Sequence, residues 1–240
     1  MRTRERHQLK ENEFVTAVAS TRTWVAENRD RATFGAIAVV AIVVVLGGYQ
    51  WWRTRTADQA GALFGTAMAI YQAPVVPAST VPGAVTTPGS YTSEKARSEA
   101  ALTAFQQVAQ AYPKSATGEA ALYQTGEVLM TLDRFADAQA AYQKVIDQSA
   151  GSVYGPLARL GLAEAMAGAG QQDQAIKTYE ALAADRDGAL PIDGVLMRLA
   201  KAYLAVGKPK EARTAFKRVA DEFPDSVYAA DARKQLALLG

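Results

Sequence analysis

One phrase recurs four times in this chain: an alanine, an aromatic four residues later, and a valine or leucine three residues after that. The copies are Ala101/Phe105/Val108, Ala138/Tyr142/Val145, Ala175/Tyr179/Leu182 and Ala212/Phe216/Val219, each 37 residues after the last. A fixed period of that size belongs to solenoids of stacked two-helix units, in which no unit buries its apolar face alone. Offsets of four and then three residues lie on one face of a helix. The small alanine lets two backbones approach, and the aromatic fills the groove to the next unit. Such an array presents a surface and does not by itself imply chemistry.

Helices alternate without strands from Glu94 onward. The pattern predicts helices over Glu94–Tyr112, Thr117–Thr131, Arg134–Gln148, Val153–Ala169, Gln172–Ala184, Ile192–Val206 and Pro209–Phe223. A last unpaired helix, Val227–Leu239, covers the final repeat. Pro113 stops the first of these helices, Pro209 suits a helix start, and Ser115, Ser152 and Ser226 are expected as N-caps. Before this array, residues 57–73 read as an apolar-faced helix carrying Leu63, Phe64, Met68 and Tyr71. Residues 72–93 hold Pro74, Pro77, Pro82 and Pro88 with Gly83 and Gly89, too many breakers for a helix or strand. They read as a mobile insertion between the two helices of a split first repeat.

A second feature stands apart. From Ala32 to Trp52 there is no charged residue, a run long enough at about 1.5 Å per residue to cross a hydrocarbon core of about 30 Å. Tyr49, Trp51 and Trp52 close it, where amphipathic rings settle at the lipid boundary. A cleaved signal peptide has a shorter lead and a small-x-small site, and a core helix has a polar face; this run has neither. The stretch is expected to be a single transmembrane helix over 32–52. Residues 1–31 form a cytoplasmic segment, and residues 53–240 a periplasmic repeat domain with its Pro-rich insertion at 72–93. Orientation follows from basic residues. Residues 1–33 carry seven Lys/Arg, whereas residues 53–92 carry two, Arg53 and Arg55. That places the N-terminus in the cytoplasm. Residues 8–29, with Phe14, Val18 and Val25 on one face and Trp24 beside them, read as an interfacial helix, a cytoplasmic partner helix being the alternative.

Composition excludes several function classes. A net charge of +2 gives no electrostatic footprint for nucleic acid. With no cysteine there are no disulfides, thiol nucleophiles or metal-thiolate sites. The single histidine, His7, lies across the span from the repeats, so histidine-based catalysis and metal binding are not expected there. Asp185/Asp187 and Asp221/Glu222 read as solvated turn residues, and Gly168/Gly170 as a turn rather than a phosphate loop. No catalytic residue, cofactor, metal or small-molecule substrate is expected, and the chain is not read as an enzyme.

The columns of the repeat carry a resemblance. Gly126/Ala163/Ala200, the turn residues Asp133/Gly170/Gly207, the alanines 138/175/212 and the aromatics Tyr142/Tyr179/Phe216 resemble the tetratricopeptide repeat family, whose period is about 34 residues. The fold class this implies is all-α: a single N-terminal transmembrane helix, then an α-solenoid of about four helix pairs plus a capping helix. The overall layout, a short lead, one span ending in Tyr and Trp, a helix and then repeats, is similar to the YfgM-like ancillary subunits of the SecYEG translocon. That resemblance implies the bacterial inner membrane, with translocon subunits and periplasmic chaperones as partners. The repeats also resemble, more distantly, those of the cell-division coordinator CpoB and the assembly lipoprotein BamD, neither of which keeps an uncleaved span. A structural scaffold or assembly factor of another envelope machine is the alternative. In such solenoids the first helix of each pair lines the concave face, so the expected partner-binding residues are Tyr123, Leu160 and Met197 with Glu127, Glu164 and Lys201. Lys208, Lys210, Lys217 and Arg218 form a basic patch, read as a solvated face.

Overall fold

The computed structural model describes residues 26, 28–76, 89–148, 152–186 and 188–240. The lead helix expected over 8–29, most of the Pro-rich insertion, Asp187 and His7 lie outside these residues. Among the described residues there are nine helices and no strand. We number them α1 Arg29–Tyr71, α2 Glu94–Ala111, α3 Ala116–Thr131, α4 Phe135–Gln148, α5 Tyr154–Gly168, α6 Gln172–Ala184, α7 Ile192–Ala205, α8 Pro209–Glu222 and α9 Ala229–Leu238. The chain divides into two compact units, Met1–Thr56 and Ala57–Gly240.

In the first unit α1 is long and apolar enough to cross a membrane by length and composition, and none of its most apolar stretch is buried. Phe34, Ile37, Val43 and Leu46 are all exposed. Near Thr56 the side chains organise locally. Tyr49 and Trp52 stack at 6.3 Å, and the Arg55 guanidinium lies 5.3 Å over the Trp51 ring, a distance at which a cation is drawn to the ring face. The stretches read separately from sequence as 32–52 and 57–73 belong to one helix.

The second unit is the solenoid. Its phrase alanines, Ala101, Ala138, Ala175 and Ala212, are all fully buried, as are Phe105, Tyr142 and Phe216; Tyr179 is nearly so. Burying one such ring contributes about 1.5–3 kcal/mol, so the phrase is the main source of cohesion between helices. Val108, Val145 and Val219 are buried too. Leu182 is only half-buried, because α6 ends two residues later and Ala183 turns inward instead. The first pair is built from the end of α1 and α2: Phe64 and Tyr71 meet Phe105 at 5.6 and 6.2 Å. The feet of the insertion are tied together. Val75 and Tyr91 form an isolated bridge, with Val76 N–H donating to Tyr91 O at 2.8 Å and Tyr91 N–H to Pro74 O at 3.0 Å. Prolines restrict this stretch but leave these two N–H groups free to pair.

Turns within pairs are uniform. Three residues separate α3 from α4, α5 from α6 and α7 from α8. Each such turn holds a residue in the left-handed region, Asp133 (φ 55°), Gly170 (φ 79°) and Gly207 (φ 71°). These are the three turn residues spaced at the repeat period. The geometry closes each first helix by a bond from the next N–H back to a carbonyl five residues earlier: Arg134 to Leu129, Gln171 to Met166 and Lys208 to Tyr203, at 2.8–2.9 Å. Glycine enters this conformation freely; Asp133 does so at some cost. Linkers between pairs are longer, from four residues before α3 to seven before α7, and these accommodate a period above the usual one.

Caps differ from expectation at two places. Ser115 caps α3, accepting from Gly118 N–H at 2.9 Å. Ser152 and Ser226 do not cap in this way, because α5 and α9 begin later, at Tyr154 and Ala229. Their hydroxyls instead accept from Tyr154 N–H and Tyr228 N–H at 3.0 Å and donate to Glu119 and Asp193 in the preceding pair. Each serine thus stitches one repeat to the previous one. In the intervening repeat the same columns hold Pro156 and Ala189, so serine and acid are lost together.

Candidate functional site

The six residues expected on the partner surface come from α3, α5 and α7, the first helices of three successive pairs. Successive first helices touch directly at α3 and α5. Tyr123 and Glu127 are half-buried on α3, and Leu160 and Glu164 half-buried on α5. On α7 Lys201 is exposed, but Met197 is only 2% exposed and belongs to the core cluster around Phe216. Leu160 packs against the same cluster. Five of the six, Tyr123, Glu127, Leu160, Glu164 and Lys201, are thus half-buried or exposed, and Met197 alone is buried.

Tyr142 reaches this face from the second helix α4. Its ring lies between α3 and α5, against Gly126 and Gly161. A Cβ at either glycine would fall 2.5 Å from a ring carbon, closer than real contacts allow, so both positions require glycine. The slot carries the Tyr142 hydroxyl to Glu127 Oε1 at 2.5 Å. Tyr123 lies beside it, its ring 5.8 Å from that of Tyr142 and 5.5 Å from that of Tyr154 on α5. Burial, with the negative charge and hydrogen bonding of Glu127, pushes the phenol ionisations of Tyr123 and Tyr142 well above their ordinary range. Both are neutral hydroxyl donors at any physiological pH.

One repeat further on, the equivalent carboxylate takes a different partner. Glu164 accepts from the Arg198 guanidinium on α7. Burial works against the Arg198 charge, but the Glu164 bond and a contact with Tyr228 outweigh it and hold the group firmly protonated. Burial, then the nearby Glu164 charge, raises the Tyr179 ionisation as well. Arg198, Lys201 and Tyr179 border a cleft of about 240 Å³ together with Gln172. The face thus runs from an acidic, aromatic end at α3 to a basic end at α7.

A larger cleft of about 580 Å³ opens between the second helices α2 and α4, over α3, bordered by Gln106, Gln110, Leu122, Thr125 and Lys144. Sequence reasoning did not single it out, and its mixed amide and apolar lining has no repeat signature. Tyr142, Tyr154 and Arg198 were missed for another reason: each belongs to a column whose neighbours differ. A signal was available. Tyr142 and Tyr179 each follow a glutamate by 15 residues, whereas Phe216 follows Lys201 at that spacing. The hydroxyl and the carboxylate are present or absent together.

Four of the remaining charged candidates are paired on the surface. Lys217 and Arg218 pair with Asp221 and Glu222 one turn along α8; the Arg218 hydrogen bond holds the exposed Glu222 carboxyl below its ordinary value. Glu180 accepts from the Tyr203 hydroxyl, whose ionisation burial and that bond push up to about 12. No group of three potential metal ligands occurs among the described residues.

Comparison with known proteins agrees with this geometry. The sequence profile of the tetratricopeptide repeat-like domain matches residues 22–238. No curated protein matches. Among solved structures, a kinesin light chain from Podosopora anserina with nearly identical TPR-like repeats superposes with a TM-score of 0.57, at 15% identity over 75% of this chain and 84% of its own. A second structure of that protein gives 0.56, at 14% identity over 75% and 85%. A tetratricopeptide repeat protein from Parabacteroides merdae gives 0.49, at 14% identity over 61% and 55%. At such identities the likeness is one of fold.

Proposed function

The chain belongs to the tetratricopeptide repeat-like domain family, and from that premise we propose that it is a membrane-anchored protein-interaction module serving the secretion translocon and its periplasmic chaperones. The protein-binding part follows from the fold, since stacked helix pairs expose an extended face and enclose no reaction chamber. The single observation that carries the reading is the juxtaposition along α3, α5 and α7 of Tyr123, Glu127, Glu164, Arg198 and Lys201. Aromatic and charged groups held on rigid helices suit an extended segment or a helix of a partner protein.

Anchoring is supported by the exposed apolar surface of α1, which water would not tolerate over such a length. The ring and guanidinium contacts at Tyr49, Trp51, Trp52 and Arg55 fit a lipid–water boundary. The asymmetry of basic residues favours a cytoplasmic N-terminus and a periplasmic solenoid in the bacterial inner membrane, and the layout shared with YfgM-like subunits points to the translocon. In this reading residues 1–31 are cytoplasmic, 32–52 span the bilayer and 53–240 form the periplasmic domain.

Crosslinking in native membranes, with identification of the captured proteins, tests the assignment. Translocon subunits should be recovered by the native chain and lost when residues 32–52 are replaced by an unrelated span of equal length. Partners that are unchanged by that swap would overturn the translocon reading in favour of a scaffold that uses its span only as a tether.

A further inference from the structure

Two carboxylates occupy the same column of the repeat, Glu127 on α3 and Glu164 on α5, 37 residues apart. In the third repeat the charge of Glu164 is balanced by Arg198. The residue one period before Arg198, placed toward Glu127 as Arg198 is toward Glu164, is Gly161, where a Cβ would meet the Tyr142 ring at 2.5 Å. Glu127 therefore receives a hydrogen bond from the Tyr142 phenol, and none of the ion pairs among the described residues involves it. A phenol donates to the carboxylate but carries no positive charge. A half-buried anion without a counter-charge is costly, and the surrounding low-dielectric wall strengthens its pull on any cation that arrives.

The surroundings suit one kind of cation. Tyr123 and Tyr154 are half-buried with rings 5.5 Å apart, and Tyr142 backs Tyr123 at 5.8 Å. Ring faces attract ammonium and guanidinium groups through their quadrupoles and accept the apolar stem of a long side chain. A hydrated metal ion needs several oxygen ligands, and no group of three potential metal ligands occurs among the described residues.

We propose that Glu127, flanked by Tyr123 and Tyr154, is a pocket for a lysine or arginine side chain of the partner protein, whose cation takes the role that Arg198 plays internally for Glu164. This rests on the reading of the first-helix face as the partner surface, and it adds polarity to that reading. A bound segment places a basic residue at α3.

The test uses the full chain in zwitterionic detergent micelles with ring-¹³C-labelled tyrosine. The probe is the tripeptide acetyl-Ala-Lys-Ala-amide, with the norleucine tripeptide as its uncharged control. The lysine peptide should shift the Tyr123 and Tyr154 ring signals saturably, and the norleucine peptide should not. Glu127→Gln keeps an acceptor for Tyr142 and should weaken lysine binding at least about tenfold, whereas Glu164→Gln should change it less than about twofold. Should Glu127→Gln fold poorly, Tyr154→Leu serves instead, with a loss of about threefold to tenfold expected. Equal response to both peptides, or equal losses from Glu127→Gln and Glu164→Gln, would overturn the pocket. Membrane partners captured undiminished by Glu127→Gln would overturn the pocket alone. A chain that captures no partner would overturn the interaction reading, while the peptide titration still decides the pocket.

Discussion

In the second repeat Tyr142 drives its ring between Gly126 and Gly161 and gives its hydroxyl to Glu127. One period further on the same columns hold Tyr179, Ala163, Arg198 and Glu164, and the carboxylate turns to the guanidinium. The helices, turns and buried alanines of the two repeats are alike. The two columns that line the aromatic slot differ, glycine and glycine against alanine and arginine. A slot without Cβ atoms lets the ring pass through to the surface carboxylate; a slot with them leaves that carboxylate to a neighbouring cation. The architecture is thus set by residues common to all repeats, and the electrostatic character of the face by residues that vary between them.

Five substitutions test this contrast. The largest effect is expected from Tyr142→Ala, which empties a fully buried slot shared by three helices. A loss of about 3–5 kcal/mol is expected in denaturant unfolding of the full chain in micelles. A loss below about 1 kcal/mol would mean the slot closes by itself and that the two repeats differ less than they look.

Gly161→Ala comes next. At an ordinary helix position this change stabilises by about 0.5–1 kcal/mol. Here the new Cβ would meet the Tyr142 ring at 2.5 Å, so a destabilisation of about 1–3 kcal/mol is expected. In the column of the other slot glycine, Gly126, the next repeat holds Ala163, and Ala163→Gly adds no atom to any wall and should cost about 1 kcal/mol from helix propensity. The sign of the Gly161 change, read from thermal unfolding by circular dichroism, decides whether the slot is as tight as described.

The smallest effect isolates the hydroxyl. Tyr142→Phe removes the donor to Glu127 and should cost about 1 kcal/mol. Tyr179→Phe should cost less, since no hydrogen bond from the Tyr179 hydroxyl occurs among the described residues and Glu164 keeps Arg198. Equal losses in the two variants, measured side by side, would remove the distinction between the two repeats.

Much of this was legible beforehand. From α2 onward the helix limits fell within two residues of expectation, Gln172–Ala184 without any difference, because capping, proline and the left-handed turn residues act within a few residues of where they stand. Asp133 was readable as a turn residue from its column alone, and it takes the positive φ of Gly170 and Gly207. Other features were not legible. Met197 and Lys201 lie one helical turn apart, yet one is in the core and the other in solvent. Which of them faces outward depends on where α7 rotates against α8. Ser152 and Ser226 look like caps and are ties to Glu119 and Asp193, 33 residues away.

By itself the sequence determined the period, the alanine and aromatic columns buried along it, the three tight turns and the bare apolar stretch of α1. These follow from local backbone preferences and from the 3.6-residue helical repeat, which put residues four and then three apart on one face whatever lies nearby. Only the tertiary structure decided that Met197 is buried, that Tyr142 reaches Glu127, and that Glu164 rather than Glu127 has an internal cation. A polar group chooses among neighbours brought to it by packing, and at separations of 15 to 34 residues that choice turns on ångström clearances between helices, such as those set here by Gly126 and Gly161.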